Sequence, residues 1–448
     1  MDTAWAILLT KFSDDDTEPY DLSRYEEIFT TKGAGRWNMV DFFKDVSHGQ
    51  LDLSGSKVFG WNTLTQKHSD YTGSGANPSG RAELIQWARQ AVIDSGEKLD
   101  DFFAVVVVMN VETDLFGGPQ GVVCFDDGKR LTASNLSVAI LGQEMGHTYL
   151  LEHSRLIGSQ NDYGDAFDVM SAWVTETAPH PDYLEVTIPT GEPVFQIGPS
   201  LNAANMDSVG WLDNTRVWKD HGGAVNASVQ LRPLHQRDLP GYLAARFGDY
   251  YVEFRGGEGW DAGFSPAVFV HILEDERSYL VPDDAGSTTL GIGSVISTPE
   301  ELSVLGSGSR LSVSDIDLEK RTATIHFSRV PPQIPREWPK SGPYLTPWVK
   351  WVPIADHQSS IAIGGRDVMV EPGSVGHRIL ESLFLYQSAD LAHDGRFARA
   401  IKLEALRQIV ERTTVEIERS RFQSPAERNL RSRLRTTAPG KSRQLPES

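Results

Sequence analysis

The chain is poor in cysteine, in long apolar runs and in positive charge, and each shortage excludes something. A single cysteine, Cys124, rules out an intramolecular disulfide. It reads as a small buried hydrophobe rather than a nucleophile. The longest wholly apolar run, Phe102 to Met109, is far too short to cross a bilayer. The opening MDTAWAILLTKFSDDD has neither a basic n-region nor a small-residue cleavage site, so no signal peptide is recognisable. A net charge of −19 argues against a nucleic-acid-binding role for the chain as a whole. The deficit is uneven: residues 395–448 hold thirteen Arg or Lys against six Glu, so the acidic excess lies in the rest. No repeat of fixed period is present.

What remains is the composition of a globular protein, 40% hydrophobic and 23% charged, in 448 residues, enough for about three domains. The first two hundred residues alternate strand and helix signals. Ala4 to Phe12 is a short apolar run halted by Ser13 and three aspartates, a buried strand. Gly80 to Ser95 carries a helical stripe at Leu84, Ile85, Ala88, Ala91 and Val92, with Gly96 as its C-terminal stop. Phe102 to Met109, β-branched and continuous, predicts a strand buried on both faces. Gly117 to Phe125 is broken by Gly and Pro before a short strand, as at a sheet edge. A further helix is expected from Ser134 or Asn135 to about Leu151.

From about 215 to 329, short runs such as Ala224 to Leu231, Tyr250 to Phe254, Ala267 to Leu273 and Thr322 to Phe327 alternate with turn residues, predicting an antiparallel β-sandwich. Residues 330–353 are rich in Pro and Trp, an extended connector. In the C-terminal region, 354–448, Ile401 to Ile417 marks an amphipathic helix, and a basic, turn-rich tail reads as disordered. The expected fold is thus an α/β (α+β) domain over 1–214, a β-sandwich over 215–329 and a partly helical end.

The chemistry concentrates in Leu141 to Ser154, LGQEMGHTYLLEHS. Gln143 and His147 lie four apart and leave one helix face a turn apart, with Glu144 beside them. This is the spacing of H-E-x-x-H zinc peptidases, with glutamine at the first ligand position. His153 follows six residues after His147 and reaches the same point if the chain turns back near Leu150 or Leu151. Three protein ligands leave a position for water, whose pKa a zinc ion lowers from about 16 to about 7. Glu144 is then the general base.

Gln143 to Ser154, followed by Asp162 to Ser171 (DYGDAFDVMS), resembles the extended zinc motif and Met-turn of metzincins, most closely the gametolysin-like and immune-inhibitor-A-like peptidases. Asp41 to Asp52 with Val58 to Trp61, Pro199 to Trp211, Tyr251 to Arg255 and Gly259 to Asp261 are similar to further segments of that family. The likeness covers about residues 1–328. It implies a metal-dependent endopeptidase with Gln143, His147 and His153 as ligands, zinc as cofactor with copper as the alternative, and Met170 as the floor beneath the metal. It also implies a polypeptide substrate paired along the edge strand at Gly121, Val122 and Val123, with Trp173 lining a pocket or else serving as a wall or core residue. Members of the family usually carry a prosegment and a secretion signal. A first strand starting almost at Met1 leaves room for neither, so the expectation is an intracellular protein, export by another route, or a piece of a longer chain.

Two departures stand out. Gln143 offers a neutral amide oxygen where the family's usual pattern has imidazole, a weaker donor for zinc, although some gametolysin-like members share the glutamine form. Leu150 occupies the place of the glycine that permits the turn toward the third ligand, where positive φ is disfavoured. Ala172 stands two residues after Met170, where some metzincins have tyrosine. Together Gln143 and Leu150 keep a second reading in play, a binding or adhesion protein that retains the fold without a competent metal site.

Overall fold

The computed structural model describes residues 3–128, 133–182, 195–220, 225–297 and 309–329, and the backbone of 349–354, 358–363 and 366–370. The chain is mixed α/β, with several sheets and few helices. The first half is built on β1 (Trp5–Lys11), β2 (Lys57–Thr63), β3 (Ala104–Met109), β4 (Phe116–Gly118) and β5 (Gly121–Phe125), in the order β2-β1-β3-β5-β4. All neighbours pair in parallel except β4, which runs antiparallel to β5.

The parallel strands are covered on both faces, as their unbroken apolar sequence requires. One set of alternating side chains (Ala6, Leu8, Val105, Val107) packs on Leu84, Ile85, Ala88 and Val92 of α3 (Pro78–Asp94). The other (Trp5, Ile7, Val106, Val108) meets residues of α1 (Leu22–Phe29), α2 (Met39–Val46) and α4 (Val138–Thr148). Each valine so buried contributes about 1.5–3 kcal/mol relative to exposure. α2 begins at a capping box, in which Asn38 and Asp41 satisfy each other's backbone N–H groups. α3 starts two residues before the expected Gly80, with Pro78 in its first turn.

Further along come β6 (Arg155–Leu156), a two-stranded ladder of β7 (Ala178–Pro179) and β8 (Gln196–Ile197), and α5 (Ala203–Ser208). They are followed by β9 (Val217–Lys219), β10 (Val225–Leu231), β11 (Ala244–Phe247), β12 (Tyr250–Arg255), β13 (Ala267–Glu274), β14 (Arg277–Leu280), β15 (Val295–Ser297), β16 (Ser309–Asp317) and β17 (Thr322–Arg329). These make a four-stranded sheet, β10-β17-β16-β15, and a six-stranded one, β6-β14-β13-β12-β11-β9. Val229, Phe247, Val252, Val270, Ile325 and Phe327, drawn from both sheets, share one core.

The six-stranded sheet is also tied to the first half of the chain. β6 comes from residues just past α4, and Leu243, Ala244, Tyr251 and Trp260 belong to the core that holds α2 and α4. A buried ionic network crosses the same boundary. Arg255 donates to Asp261 at 2.7 Å, to Glu253 at 3.0 Å and to Ser200 Oγ at 2.6 Å, and Ala203 N donates to Glu253.

A separate antiparallel meander is formed by β18 (Val349–Ile354), β19 (Gln358–Ile363) and β20 (Arg366–Val370). The last residues of the expected 330–353 connector are therefore strand. The β-favouring Val349, Trp351 and Val352 account for this, and β18 is an edge where Pro353 needs no N–H partner. The rest of that connector, the amphipathic helix of 401–417 and the basic tail lie outside the described residues. Among the described residues no helix is long and apolar enough to cross a membrane.

Candidate active site

α4 is the element on which the site is hung. It starts at Val138, later than the expected Ser134, because Ala133–Leu136 forms a 3-10 turn and Ser137 takes the extended conformation at the helix entry. The helix is apolar enough to be buried on nearly every side, so its polar residues Gln143 and Glu144 are buried as well. At Gly146 a Cβ would meet Met170 Sδ at 2.7 Å, so the glycine leaves room for the Met170 side chain against the helix.

The helix ends in a Schellman motif. Leu151 N donates to Gly146 O at 3.1 Å and Leu150 N to His147 O at 3.0 Å. Leu150 occupies the left-handed position, with φ 69. The turn that was expected to need glycine is thus made with leucine, and it still brings His153 back to the helix. His147 Nε2 and His153 Nε2 lie 3.1 Å apart.

Both rings are fixed from behind. His147 Nδ1 lies 2.8 Å from Leu151 O, which can only accept, so that nitrogen carries the proton. His153 Nδ1 lies 3.2 Å from Asp162 Oδ2. Burial works against the Asp162 charge, yet Arg155 and His153 hold its carboxyl below the usual range, so it too accepts. In the neutral rings the two Nε2 lone pairs therefore converge on each other. Burial pushes His147 below the ordinary imidazole range, which keeps it neutral and able to ligate. Two nitrogens at about 2.0–2.1 Å from one tetrahedral zinc ion sit about 3.3 Å apart, so the pair fits a shared cation.

Gln143 is engaged elsewhere in part. Its Oε1 accepts from Ala172 N at 2.8 Å, and its Nε2 donates to Glu144 Oε1 at 3.2 Å. An amide oxygen has a second lone pair, so this donor still suits a metal ion, though it is tied to the Met170 turn. Among the described residues no three His, Cys, Asp or Glu side chains converge as a ligand set. Burial raises the Glu144 carboxyl above the usual carboxylate range, against the pull of His147, Gln143 and Gly117. A carboxylate so shifted is a better base near neutral pH.

Asp168 anchors the turn that carries Met170. It is fully buried and accepts from Met170 N at 2.8 Å, Ser154 Oγ at 3.0 Å and Asn202 N at 2.6 Å. Tyr163, held at φ 62, lays its ring 4.3 Å from that of His153.

These residues open into a cleft of about 430 Å³ that Gln143, Glu144, His147 and His153 line, with Phe116, Tyr163 and Trp173 among the other walls. Trp173 is 63% exposed and stands at the rim rather than in the core. The structure corrects the expected substrate edge. Gly121, Val122 and Val123 are buried within β5, which is paired on both sides, by β3 and β4. The chain reverses at Pro119–Gln120 and returns as β4, whose Phe116–Gly118 forms the true edge beside the cleft. The Gly117–Gly118–Pro119 run that reads as a break is itself the outer strand and its turn.

Asp162, Tyr163 and Asp168 were not assigned roles from the sequence. Their only signal there is membership of the Met-turn likeness, because the partners that give them roles are distant or on the backbone. Compared with protein-family models, with curated proteins and with solved structures, the chain finds no match.

Proposed function

We propose that the chain is a metal-dependent endopeptidase of the metzincin type, a metzincin-like domain followed by a β-sandwich, with Glu144 as general base. The observation that carries this reading is the convergence of two imidazole Nε2 atoms at 3.1 Å beside a buried glutamate, at the floor of an open cleft. His147 and His153 hold the ion, and Gln143 supplies the third donor through its amide oxygen. Zinc, with copper as the alternative, supplies Lewis acidity and lowers the pKa of water at the site.

The chain's own groups then divide the work. Phe116 to Gly118 presents backbone groups along the cleft, where an extended polypeptide adds as a further strand. Glu144 takes a proton from the attacking water as the new C–O bond forms. It returns that proton to the amine as the C–N bond breaks. Met170 backs the ligands as an apolar floor.

A second reading, a binding protein of the same fold without catalysis, draws on one observation: Ala172 N–H occupies Gln143 Oε1. Casein digestion by purified protein separates the two. The peptidase reading expects cleavage that a chelator stops, that zinc restores and that Glu144→Ala abolishes. Protein that stays inactive after zinc or copper loading contradicts it. Recovery of activity in Gln143→His would then trace the loss to the first ligand.

A further inference from the structure

The segment that delivers His153 is gripped by the β13–β14 hairpin, more than a hundred residues further along the chain. Arg277 sits at the start of β14, just past the hairpin tip at Asp275 and Glu276, both with positive φ. Its guanidinium lies 3.1 Å from Asp162 Oδ1 and 2.9 Å from Glu152 Oε2. Asp162 is the group that fixes His153 Nδ1, and Glu152 immediately precedes that histidine. Two more contacts hold the same segment. β14 pairs in parallel with β6, matching Tyr279 to Arg155 and Leu280 to Leu156. His271 Nε2 on β13 lies 3.0 Å from Asp165 Oδ2, at full burial. Glu276 itself lines the cleft.

We infer that the β13–β14 hairpin is part of the metal site, and that Arg277 is a positioning residue that orients His153 through Asp162. The inference rests on the peptidase reading of His147 and His153. A carboxylate that accepts from the remote nitrogen of a ligating histidine fixes its tautomer and ring direction, and losing it costs about 10–100-fold in metal affinity. Arg155 also binds Asp162, at 2.8 Å from Nε, but it rides on the same segment as His153. Among the described residues, Arg277 alone ties that carboxylate to an element beyond the 152–165 segment. The hairpin thus ties the histidine that follows the helix end to a second element.

The test is a zinc titration by calorimetry on full-length protein, with the visible spectrum of the cobalt(II)-loaded form as a second readout. Asp162→Ala should weaken zinc binding by about 10–100-fold and Arg277→Ala by about tenfold, each altering the cobalt bands. Arg277→Lys should recover part of the loss, because one ammonium meets Asp162 without bridging to Glu152. Arg321→Ala, which breaks an exposed pair with Glu258 outside the cleft lining, is the control and should match wild type. Thermal unfolding of each variant separates misfolding from a local effect. Zinc affinity and cobalt bands unchanged in Arg277→Ala would overturn the inference while leaving the peptidase reading intact. Wild-type protein that binds neither ion would overturn both.

Discussion

Leu150 shows how much one residue carries at this site. A leucine at φ 69 bears roughly 1–2 kcal/mol of left-handed strain, and it is kept there by the two Schellman hydrogen bonds and by the return of the chain to His153. Leu150→Gly removes the strain but gives up side-chain contact and adds freedom to the unfolded chain, so thermal unfolding should shift little. Leu150→Val places a β-branched residue at the same φ and should cost about 1–2 kcal/mol with weaker metal binding. Equal melting of the two variants would show that the turn is not held in this conformation. From sequence, Leu150 reads as an obstacle, because propensity says which residues favour a left-handed turn and not whether surrounding contacts outweigh the cost. Gln143 is a similar case: its position on the helix follows from spacing, but its bond to Ala172 N depends on a turn 29 residues away.

Among the elements, β4 is the one that spacing conceals. Three residues with two glycines carry almost no strand signal, yet β4 closes the sheet beside the cleft and lies against α4. A Cβ on Gly117 would fall 2.0 Å from Glu144 O, so the edge strand approaches the helix only as glycine. Gly117→Ala should therefore destabilise the protein by about 1–3 kcal/mol, read by chemical denaturation. Peptide cleavage should fall with it, since the same shift moves the edge away from Glu144. An unchanged denaturation midpoint would mean that β4 and α4 are not in this contact. The long apolar strands β1 and β3 were legible because burial on both faces leaves an unbroken apolar run. The hairpin at Pro119–Gln120 was not, because its register is set by pairing with β5 rather than by its own residues.

At the scale of the molecule, buried ionic contacts join the α/β half to the six-stranded sheet alongside their shared apolar core. His271 is fully buried between Asp165 and Glu253. Burial opposes its charge, but the hydrogen bond and charge of Asp165, with Glu253 and Asp168 adding to them, raise its pKa above 6.5. A histidine whose folded pKa is raised contributes stability that is complete below 6.5 and is lost as pH rises through the folded value. Metal-free wild-type protein should therefore lose melting temperature from pH 6.5 upward, and His271→Gln should show a smaller loss. Parallel pH profiles for the two would remove His271 from this role. The bond to Asp165 could not be read from spacing, since the two residues lie 106 apart in the chain. Of the short strands from 225 to 329, β10, β12, β13 and β17 were legible as apolar runs between turn residues, and the sheet into which each would fall was not.

Zinc titration of chelator-stripped full-length protein tests the central claim most directly. One ion per chain is predicted, with binding lost in both His147→Ala and His153→Ala, and with Gln143→His binding more tightly than wild type by about tenfold, or 1.4 kcal/mol. Absence of stoichiometric binding in wild type, or binding that survives loss of either histidine, would contradict the account.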